Sequence, residues 1–254
     1  MSKIVIFGAG GRAGRQAVAE ARGRGHEVTA VVRDRSRYSG LADSGVRVAA
    51  GDVTDVADVA ALSAGHDAAI HAAAVYAAGT DPHAFFTGAA RALVKGLRRA
   101  GVDRLVAVGL SALLPGPDGT RLLDAPGFPA EFRPFCLAHA AGLDVLRTEG
   151  GALDWVYVSP AGDFDHKGER TGHYSVREQG DAAARISYAD FALVLLDEAE
   201  TPRHHRSHLA VDLRGCFGPL PVHLQVVAPA ELLEAFGGEI QDLLKAAFAV
   251  RFGA

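Results

Sequence analysis

A glycine-rich turn follows the first apolar run of the chain. Residues 3–7 read Lys-Ile-Val-Ile-Phe, which is typical of a strand buried on both faces of a parallel sheet. Glycines follow at positions 8, 10, 11 and 14, and residues 12–25 carry apolar side chains at helical spacing. A second strand pattern begins at Glu27 and runs to Val32. This order of strand, helix and strand predicts a βαβ unit whose glycines form the turn between the first strand and the helix.

The glycines of this turn suit the binding of a diphosphate. Gly8 permits a sharp exit from the strand, and Gly14 lets the helix pack closely on the sheet. Gly10 and Gly11 let backbone amides approach an anion, at which the new helix also directs its partial positive charge. Glycines that serve only a tight turn are the alternative, but this motif lies between a buried strand and a helix. We therefore predict a dinucleotide site formed by Gly8, Gly10, Gly11, Arg12, Ala13 and Gly14.

Strand and helix patterns alternate through most of the remaining chain. Further strands are predicted at residues 46–50, 68–71, 105–108, 154–158 and 207–212, and helices at 56–63, 82–99, 135–149 and 188–199. The alternation predicts an α/β fold with a doubly wound (Rossmann) parallel sheet flanked by helices, in the strand order 3-2-1-4-5. Two irregular segments, 115–134 and 159–184, interrupt it and are expected to form the walls of a substrate pocket.

The chain changes character after Arg214. A linker rich in glycine and proline is followed by apolar residues at helical spacing, interrupted at Gly237 and Gly238. We expect one Rossmann domain over residues 1–214, and a linker with an amphipathic helical tail over residues 215–254. The apolar stripe of the tail has two interpretations, which are packing on the core of the domain and a contact in a homodimer.

The charge and hydropathy of the chain exclude two classes of partner. The 26 basic and 30 acidic residues give a formal net charge of −4, so nothing attracts the chain to nucleic acid or to an anionic membrane. No apolar stretch approaches the roughly 20 residues that cross a bilayer. Since the chain also begins in a strand pattern rather than a signal segment, we expect a cytoplasmic protein.

Cysteines and histidines give no pattern of a metal site. Cys136 and Cys216 lie too far apart for a paired motif and are interpreted as buried thiols. His204, His205 and His208 are close in sequence, but no carboxylate or cysteine completes a ligand set beside them. A surface loop is therefore the favoured interpretation of these three histidines, and no metal is expected.

The residues after the second strand decide between NADP and NAD. A carboxylate there accepts the ribose 2′-hydroxyl of NAD, whereas an arginine binds the 2′-phosphate of NADP. Arg33 is the first side chain past the strand, and Arg12 of the glycine turn can face the same place. A charge-assisted hydrogen bond contributes on the order of 1.5 to 3 kcal/mol, so NADPH is the expected cofactor. Asp34 would favour NADH instead if its carboxylate turned inward.

Further motifs are distributed over residues 3–212. They are residues 8–14, 27–37, 51–53, 108–111, 143–147, 153–160, 170–174 and 186–190, among them Gly-Asp-Val at 51–53 and Val-Gly-Leu-Ser at 108–111. With these motifs the chain resembles the atypical short-chain dehydrogenases/reductases of the NmrA-like branch. That branch includes NADH-flavin reductases and biliverdin-IXβ (flavin) reductase. The segment after Arg214 has no counterpart in the resemblance.

The resemblance implies a place for each part of the cofactor. Independently of it, Asp52, Ala73 and Ser111 follow the carboxyl ends of predicted strands, where ligands bind in open α/β sheets. The residues that the resemblance assigns are Asp52 and Val53 to the adenine, Ala73 and Ala74 to the ribose, and Ser111, Pro160 and Ala161 to the nicotinamide.

The tyrosine–lysine pair with which short-chain dehydrogenases reduce carbonyls is absent. None of the five tyrosines has a lysine four residues later, and the aligned positions are Phe135 and His139. Without a phenol to donate a proton, the acceptor of the hydride must itself stabilise the negative charge that it gains. We therefore predict that the acceptor is a planar flavin, quinone or enone. Ser111 and His139 are the candidate catalytic residues, His139 as a proton donor near neutral pH. Candidate pocket residues are Tyr76, Phe135, Phe164 and His173.

Two other functions fit the same residues. One is a non-catalytic NADP(H)-sensing regulator of the NmrA-like type, which holds the cofactor without consuming it. The other is a tailoring reductase or cyclase of secondary metabolism, for which the proline-rich segment and the tail would form a specialised pocket. Turnover of the cofactor separates the sensor from the two enzymes.

Overall fold

The structure of the protein is a computed structural model, which describes residues 1–42, 45–75 and 79–213. Tyr76, Cys216 and the predicted tail at 215–254 lie outside the described residues, so the division of the chain at Arg214 stays a prediction. The described strands are β1 (Lys3–Phe7), β2 (Glu27–Val32), β3 (Arg47–Ala50), β4 (Ala68–His71), β5 (Arg104–Val108), β6 (Asp154–Pro160), β7 (Asp163–Asp165), β8 (Ser175–Arg177), β9 (Arg185–Ser187) and β10 (Ser207–Asp212). The helices are α1 (Arg12–Gly23), α2 (Ser39–Ala42), α3 (Val56–Ser63), α4 (Pro82–Ala100), α5 (Arg133–Glu149) and α6 (Tyr188–Glu200).

Eight of these strands form one sheet in the order β3-β2-β1-β4-β5-β6-β10-β8. All neighbours are parallel except β8, which pairs antiparallel with β10 at one edge. The predicted order 3-2-1-4-5 and the doubly wound α/β class are confirmed. The separate parallel pair of β7 and β9 was not predicted, because each strand has three residues and shows no clear alternation.

The two faces of the sheet carry separate apolar clusters. On one face, Val5, Leu105 and Trp155 pack with side chains of α3, α4 and α5. On the other face, Ile6 and Val156 pack with side chains of α1 and α6. Because both faces are covered, the ligand-accessible part of the sheet is the edge where its parallel strands end.

Helix N-termini differ in how they are capped. The side chains of Asp55, Asp81 and Ser187 accept hydrogen bonds from the first turns of α3, α4 and α6, respectively. The N-cap of α1 is Gly11, which has no side chain to accept such a bond, and no acidic residue lies in the first turn of α1. The first amides of α1 are therefore left for a ligand.

The proline-rich segment 115–134 forms short 3-10 turns, as at Leu122–Asp124, and buries Leu123 completely in the core. Helix α5 begins at Arg133, two residues before the predicted start, because Pro134 fits the first turn of a helix. No helix in residues 1–42, 45–75 and 79–213 combines the length and apolar character needed to cross a bilayer.

Candidate functional site

A cavity of about 220 Å³ opens where β1, β2, β3 and β4 end. Its lining includes the side chains of Arg37, Tyr38 and Phe85, which the sequence did not assign to the site. The predicted cofactor residues that line it are Gly8, Gly10, Gly11, Arg33, Asp52, Val53, Ala73 and Ala74.

The glycine turn has the close approaches that its predicted roles require. Gly8 has a φ of +79°, and a Cβ there would lie 2.4 Å from the backbone nitrogen of Ala73. A Cβ on Gly14 would lie 2.2 Å from the carbonyl oxygen of Gly8, so only glycine lets α1 pack against the turn. A Cβ on Gly10 would meet the ring of Tyr38 at 2.4 Å. The ring of Tyr38 thus covers the glycine turn.

This turn and the N-terminus of α1 fit the diphosphate of a dinucleotide. The amide of Gly11 donates to the carbonyl of Gly8 at 3.0 Å, which fixes the turn without a side chain. The helix dipole and the amides of the first turn of α1 then face an anion in the cavity. Ala13 and Gly14, the remaining predicted residues of the turn, are buried in α1 behind this surface.

Two arginines and a constrained carboxylate follow β2. Arg33 and Arg37 both line the cavity, Arg37 from a 3-10 turn at Arg35–Tyr38. Asp34 lies between them, and its Oδ1 accepts bonds from the backbone nitrogen of Ser36 at 3.0 Å and from its Oγ at 2.7 Å. These bonds lower the pKa of Asp34. Only Oδ1 takes part in this turn, and Asp34 lines the cavity together with Arg33 and Arg37.

Arg37 and Tyr38 could have been found from the basic cluster at positions 33, 35 and 37. Of that cluster only Arg33 was predicted to meet the cofactor, because the turn that brings Arg37 back to Arg33 is too short to show a periodic pattern.

The side chain of Arg12 does not face the same place as Arg33, so this prediction is wrong. Nη1 of Arg12 lies 3.0 Å from Nδ1 of His166, and its guanidinium also donates to the phenol of Tyr188. Arg12 is the first residue of α1 and leaves the helix towards the segment after β6, whereas Arg33 lies at the end of β2.

Asp52 forms a turn of its own at the end of β3. Its Oδ1 accepts bonds from the backbone nitrogen of Thr54 at 2.8 Å and from its Oγ1 at 2.7 Å. Its backbone nitrogen donates to Oδ2 of Asp58 at 2.8 Å. These bonds fix the Asp52–Val53 backbone along the cavity, at the place that the resemblance assigns to the adenine.

The residues assigned to the nicotinamide lie apart from this cavity. Ala161 is only 1% exposed. Its backbone nitrogen donates to the carbonyl of Val211 and its carbonyl accepts from the backbone nitrogen of Asp181, both at 2.7 Å. Pro160 is buried beside it, and Ser111 is half-buried at the start of a short 3-10 helix. The structure thus brings together the residues for the adenosine and the diphosphate, but not those for the nicotinamide.

Three polar side chains, His71, Tyr157 and His208, lie in one row across the strands near the carboxyl edge of the sheet, with Ala107 between the first two. In register, His71 lies beside Ala107, Ala107 beside Tyr157, and Tyr157 beside His208. The Nδ1 of His139, on α5, lies 2.5 Å from the phenol oxygen of Tyr157. His71, His139 and Tyr157 also line a small cavity of about 20 Å³. A phenol–imidazole pair therefore exists, but its members come from β6 and α5.

His139, which was predicted to donate a proton to the acceptor, lies in the core rather than at the open edge of the sheet. It is 6% exposed, and burial, together with the charges of His71 and His208, lowers its pKa to about 3. An imidazole with that pKa is neutral at pH 7 and accepts or donates a hydrogen bond without changing charge.

The surface-loop interpretation is wrong for His208, which lies in β10. Its Nε2 is 2.7 Å from Oγ of Ser159, and burial lowers its pKa to about 4. His204 and His205 follow α6 and pair with Glu198 at 2.7 Å and Asp154 at 2.9 Å. Among the described residues, no three histidine, cysteine or acidic side chains are grouped to hold a metal ion.

The predicted pocket residues do not share one pocket. Phe135 packs on Phe86 and His139 on the side of α4 and α5. Phe164 stacks on Tyr188 at the N-terminus of α6, with centroids 4.1 Å apart. His173 lies on the segment whose preceding amides donate to the buried Asp190 of α6, and Tyr76 is outside the described residues. Cys136 is buried as predicted, and burial raises its pKa to about 11.

Residues 8–202 match the family described as NAD(P)H-binding. The chain belongs to this family of NAD(P)H-binding oxidoreductases. It is 36% identical over 221 residues to the uncharacterized protein YwnB of Bacillus subtilis, covering 82% of this chain and 97% of that protein. The crystal structure of a putative NADH-flavin reductase from Streptococcus pneumoniae is similar with a TM-score of 0.70 and 34% identity, over 84% of this chain and all of that one.

A more distant likeness concerns the fold alone. ChuY, an anaerobilin reductase of Escherichia coli O157:H7, has a TM-score of 0.67 and 22% identity, over 86% of this chain and all of that one. The family and the Streptococcus pneumoniae structure confirm the predicted NAD(P)H-binding Rossmann fold and the resemblance to NADH-flavin reductases.

Proposed function

We propose that the protein is an NADPH-dependent reductase of a planar conjugated acceptor such as a flavin, a quinone or an enone. The observation that supports this most directly is the phenol–imidazole pair of Tyr157 and His139, which is present but sealed in the core. At the open edge of the sheet, Tyr188 lies 5.5 Å from His166 between ring centres, but burial raises the pKa of its phenol, which makes it a weak proton donor. An acceptor that stabilises its own negative charge therefore suits this site better than a simple ketone.

The preference for NADPH rests on the two arginines after β2. Arg33 and Arg37 offer the cavity two guanidinium groups, which match a 2′-phosphate. Asp34, the residue that would favour NADH, uses Oδ1 to cap the turn at Ser36. A phosphate thus meets two cations, whereas a ribose hydroxyl meets one carboxylate, of which Oδ1 already caps the turn at Ser36.

Bound NADPH would supply the hydride, and the chain's own residues would bind and orient the reactants. The amides at the N-terminus of α1 bind the diphosphate, and the Asp52–Val53 backbone lies along the adenine. Ser111 follows β5, and its hydroxyl would donate a hydrogen bond to the acceptor or to the nicotinamide amide.

Turnover tests this proposal. The protein is mixed with NADPH and either FMN or menadione, and the absorbance of the reduced nicotinamide is followed. Oxidation that requires both protein and acceptor supports the reductase. Binding of NADPH without oxidation across a broad panel of flavins, quinones and enones would contradict it and favour an NADP(H)-sensing regulator.

A further inference from the structure

A cationic and aromatic cluster lies beside the glycine turn, outside the cofactor cavity. It consists of Arg12, Phe164, His166 and Tyr188, which come from α1, β7, the residue after β7 and the start of α6. Phe164 and Tyr188 stack with centroids 4.1 Å apart and planes 13° apart. The ring of His166 lies 5.5 Å from that of Tyr188. We refer to these four residues as the Arg12 cluster.

The members of the Arg12 cluster differ in exposure. Arg12 and His166 are exposed, whereas Phe164 and Tyr188 are half-buried, with Phe164 packed edge-on against the buried Phe191. The aromatic pair is thus fixed on the core, and the cation and the imidazole lie at its solvent-facing rim. Because an arginine can only donate, Nδ1 of His166 accepts the bond from Arg12, and the guanidinium keeps donors beyond those used by His166 and Tyr188.

The position of Arg12 is unfavourable for the helix by itself. A positive charge in the first turn of α1 opposes the helix dipole, and no acidic side chain in that turn compensates it. Two acidic residues lie nearby and accept bonds from backbone amides, Asp163 from Phe164 and Asp165 from Lys167. Burial and the charge of Asp163 raise the pKa of Tyr188, so Asp163 lies close to the cluster. In the described part of the chain, no carboxylate is bonded to Arg12, so an anionic ligand is the partner that this arrangement lacks.

The Arg12 cluster adjoins the cofactor cavity at the glycine turn. Arg12 follows Gly11, which lines the cofactor cavity, and Phe164 lies three residues after Ala161, which the resemblance assigns to the nicotinamide. A ligand that extends from the cofactor cavity past the start of α1 would therefore reach the guanidinium and the aromatic pair beside it.

We propose that the Arg12 cluster binds the anionic side arm of the acceptor, with Arg12 and His166 holding a phosphate, sulfonate or carboxylate and the Phe164–Tyr188 pair lying against its ring. This inference rests on the proposed reductase function and narrows its substrate class to planar acceptors with a negatively charged arm. Charge-assisted bonds at an exposed site favour the anion by about tenfold, and added salt weakens the preference.

Binding is measured apart from turnover, so that the two proposals fail separately. Flavin fluorescence is titrated with the protein in saturating NADP+, which cannot reduce the flavin, comparing FMN with riboflavin. A second pair, 1,2-naphthoquinone-4-sulfonate and 1,2-naphthoquinone, is compared by displacement of FMN or by calorimetry. The wild-type protein is expected to prefer the anionic member of at least one pair about tenfold, and less so at about 0.5 M salt.

Matched variants test whether Arg12 and His166 cause the preference for the anionic acceptor. Arg12→Gln and His166→Gln are expected to reduce the ratio of the two dissociation constants towards one, whereas Lys167→Gln, which removes an exposed charge next to His166, leaves the ratio unchanged. The comparison of two ligands on one variant cancels any effect of Arg12 on NADP+.

Equal affinities within both pairs, a ratio that survives Arg12→Gln, or no binding of any of the four acceptors would overturn the inference. NADPH oxidation with riboflavin but without an anion preference would overturn the inference alone and leave the reductase proposal standing.

Discussion

The Nδ1 of His139 lies 2.5 Å from the phenol oxygen of Tyr157, across the interface between α5 and β6. The two side chains are 6% and 5% exposed, so neither reaches a ligand at the edge of the sheet. Tyr157 and His139 are a phenol and a nitrogen base, which could transfer protons at an exposed site. In this protein they are part of the core.

Tyr157→Phe is expected to destabilise the protein without changing the pH dependence of turnover. The variant leaves a buried nitrogen of His139 without its partner, which costs about 1–3 kcal/mol in the free energy of unfolding. Urea denaturation measures this cost, and the pH profile of kcat separates a structural role from a proton-transfer role. A loss of kcat with a shifted pH profile would show that the pair takes part in catalysis.

The buried histidines are expected to make the protein unstable in mild acid. Burial lowers the pKa of His71 to about 4, of His139 to about 3 and of His208 to about 4, whereas unfolded histidine titrates near 6.5. The unfolded chain therefore binds more protons, and stability is full above about pH 6.5 and falls as the pH drops towards 4. With three such groups the free energy of unfolding falls by up to about 4 kcal/mol per pH unit.

Urea denaturation between pH 7.5 and 5 measures this slope. His71→Leu is the informative variant, since it removes one of the three groups and should reduce the slope by about a third. A free energy of unfolding that is constant over this range would contradict the burial of these imidazoles.

The two arginines after β2 are expected to select NADPH. Arg33→Ala or Arg37→Ala removes one charge facing the 2′-phosphate, so NADPH should bind about 10- to 100-fold more weakly, with NADH little changed. Arg35→Ala is the control, since Arg35 lies in the same turn but does not line the cavity. Calorimetric titration of each variant with both cofactors checks the prediction, and equal losses for NADPH and NADH would mean that the arginines do not read the phosphate.

Gly14→Ala is expected to disrupt the glycine turn. The new methyl group would lie 2.2 Å from the carbonyl oxygen of Gly8, so α1 must move away from the turn, and the protein should lose nucleotide binding and stability. Gly23→Ala in the same helix is the control, because no atom lies within 4 Å of the added methyl group. That variant should gain about 0.5–1 kcal/mol in the free energy of unfolding. Equal melting temperatures for the two variants would contradict the packing described here.

The sheet and the phosphate-binding half of the site could be predicted because their signals are local. Gly8, Arg33 and Asp52 each lie within a few residues of the end of an apolar strand, and parallel strands end at one edge. Arg37 was missed because its place depends on a single short turn.

Long-range pairs could not be predicted in this way. His139 meets Tyr157 only because α5 packs over the row formed by β4, β5, β6 and β10, and no spacing in the sequence encodes that register. The predicted direction of the Arg12 side chain was wrong for a similar reason, because its partners His166 and Tyr188 lie more than 150 residues away in the sequence.

Titration calorimetry with NADPH measures whether the amides at the start of α1 hold a nicotinamide nucleotide. We expect one NADPH to bind per chain, more tightly than NADH, and Gly14→Ala to abolish the binding. No heat of binding at millimolar NADPH, or binding that survives Gly14→Ala unchanged, would show that the glycine turn and α1 do not bind the cofactor.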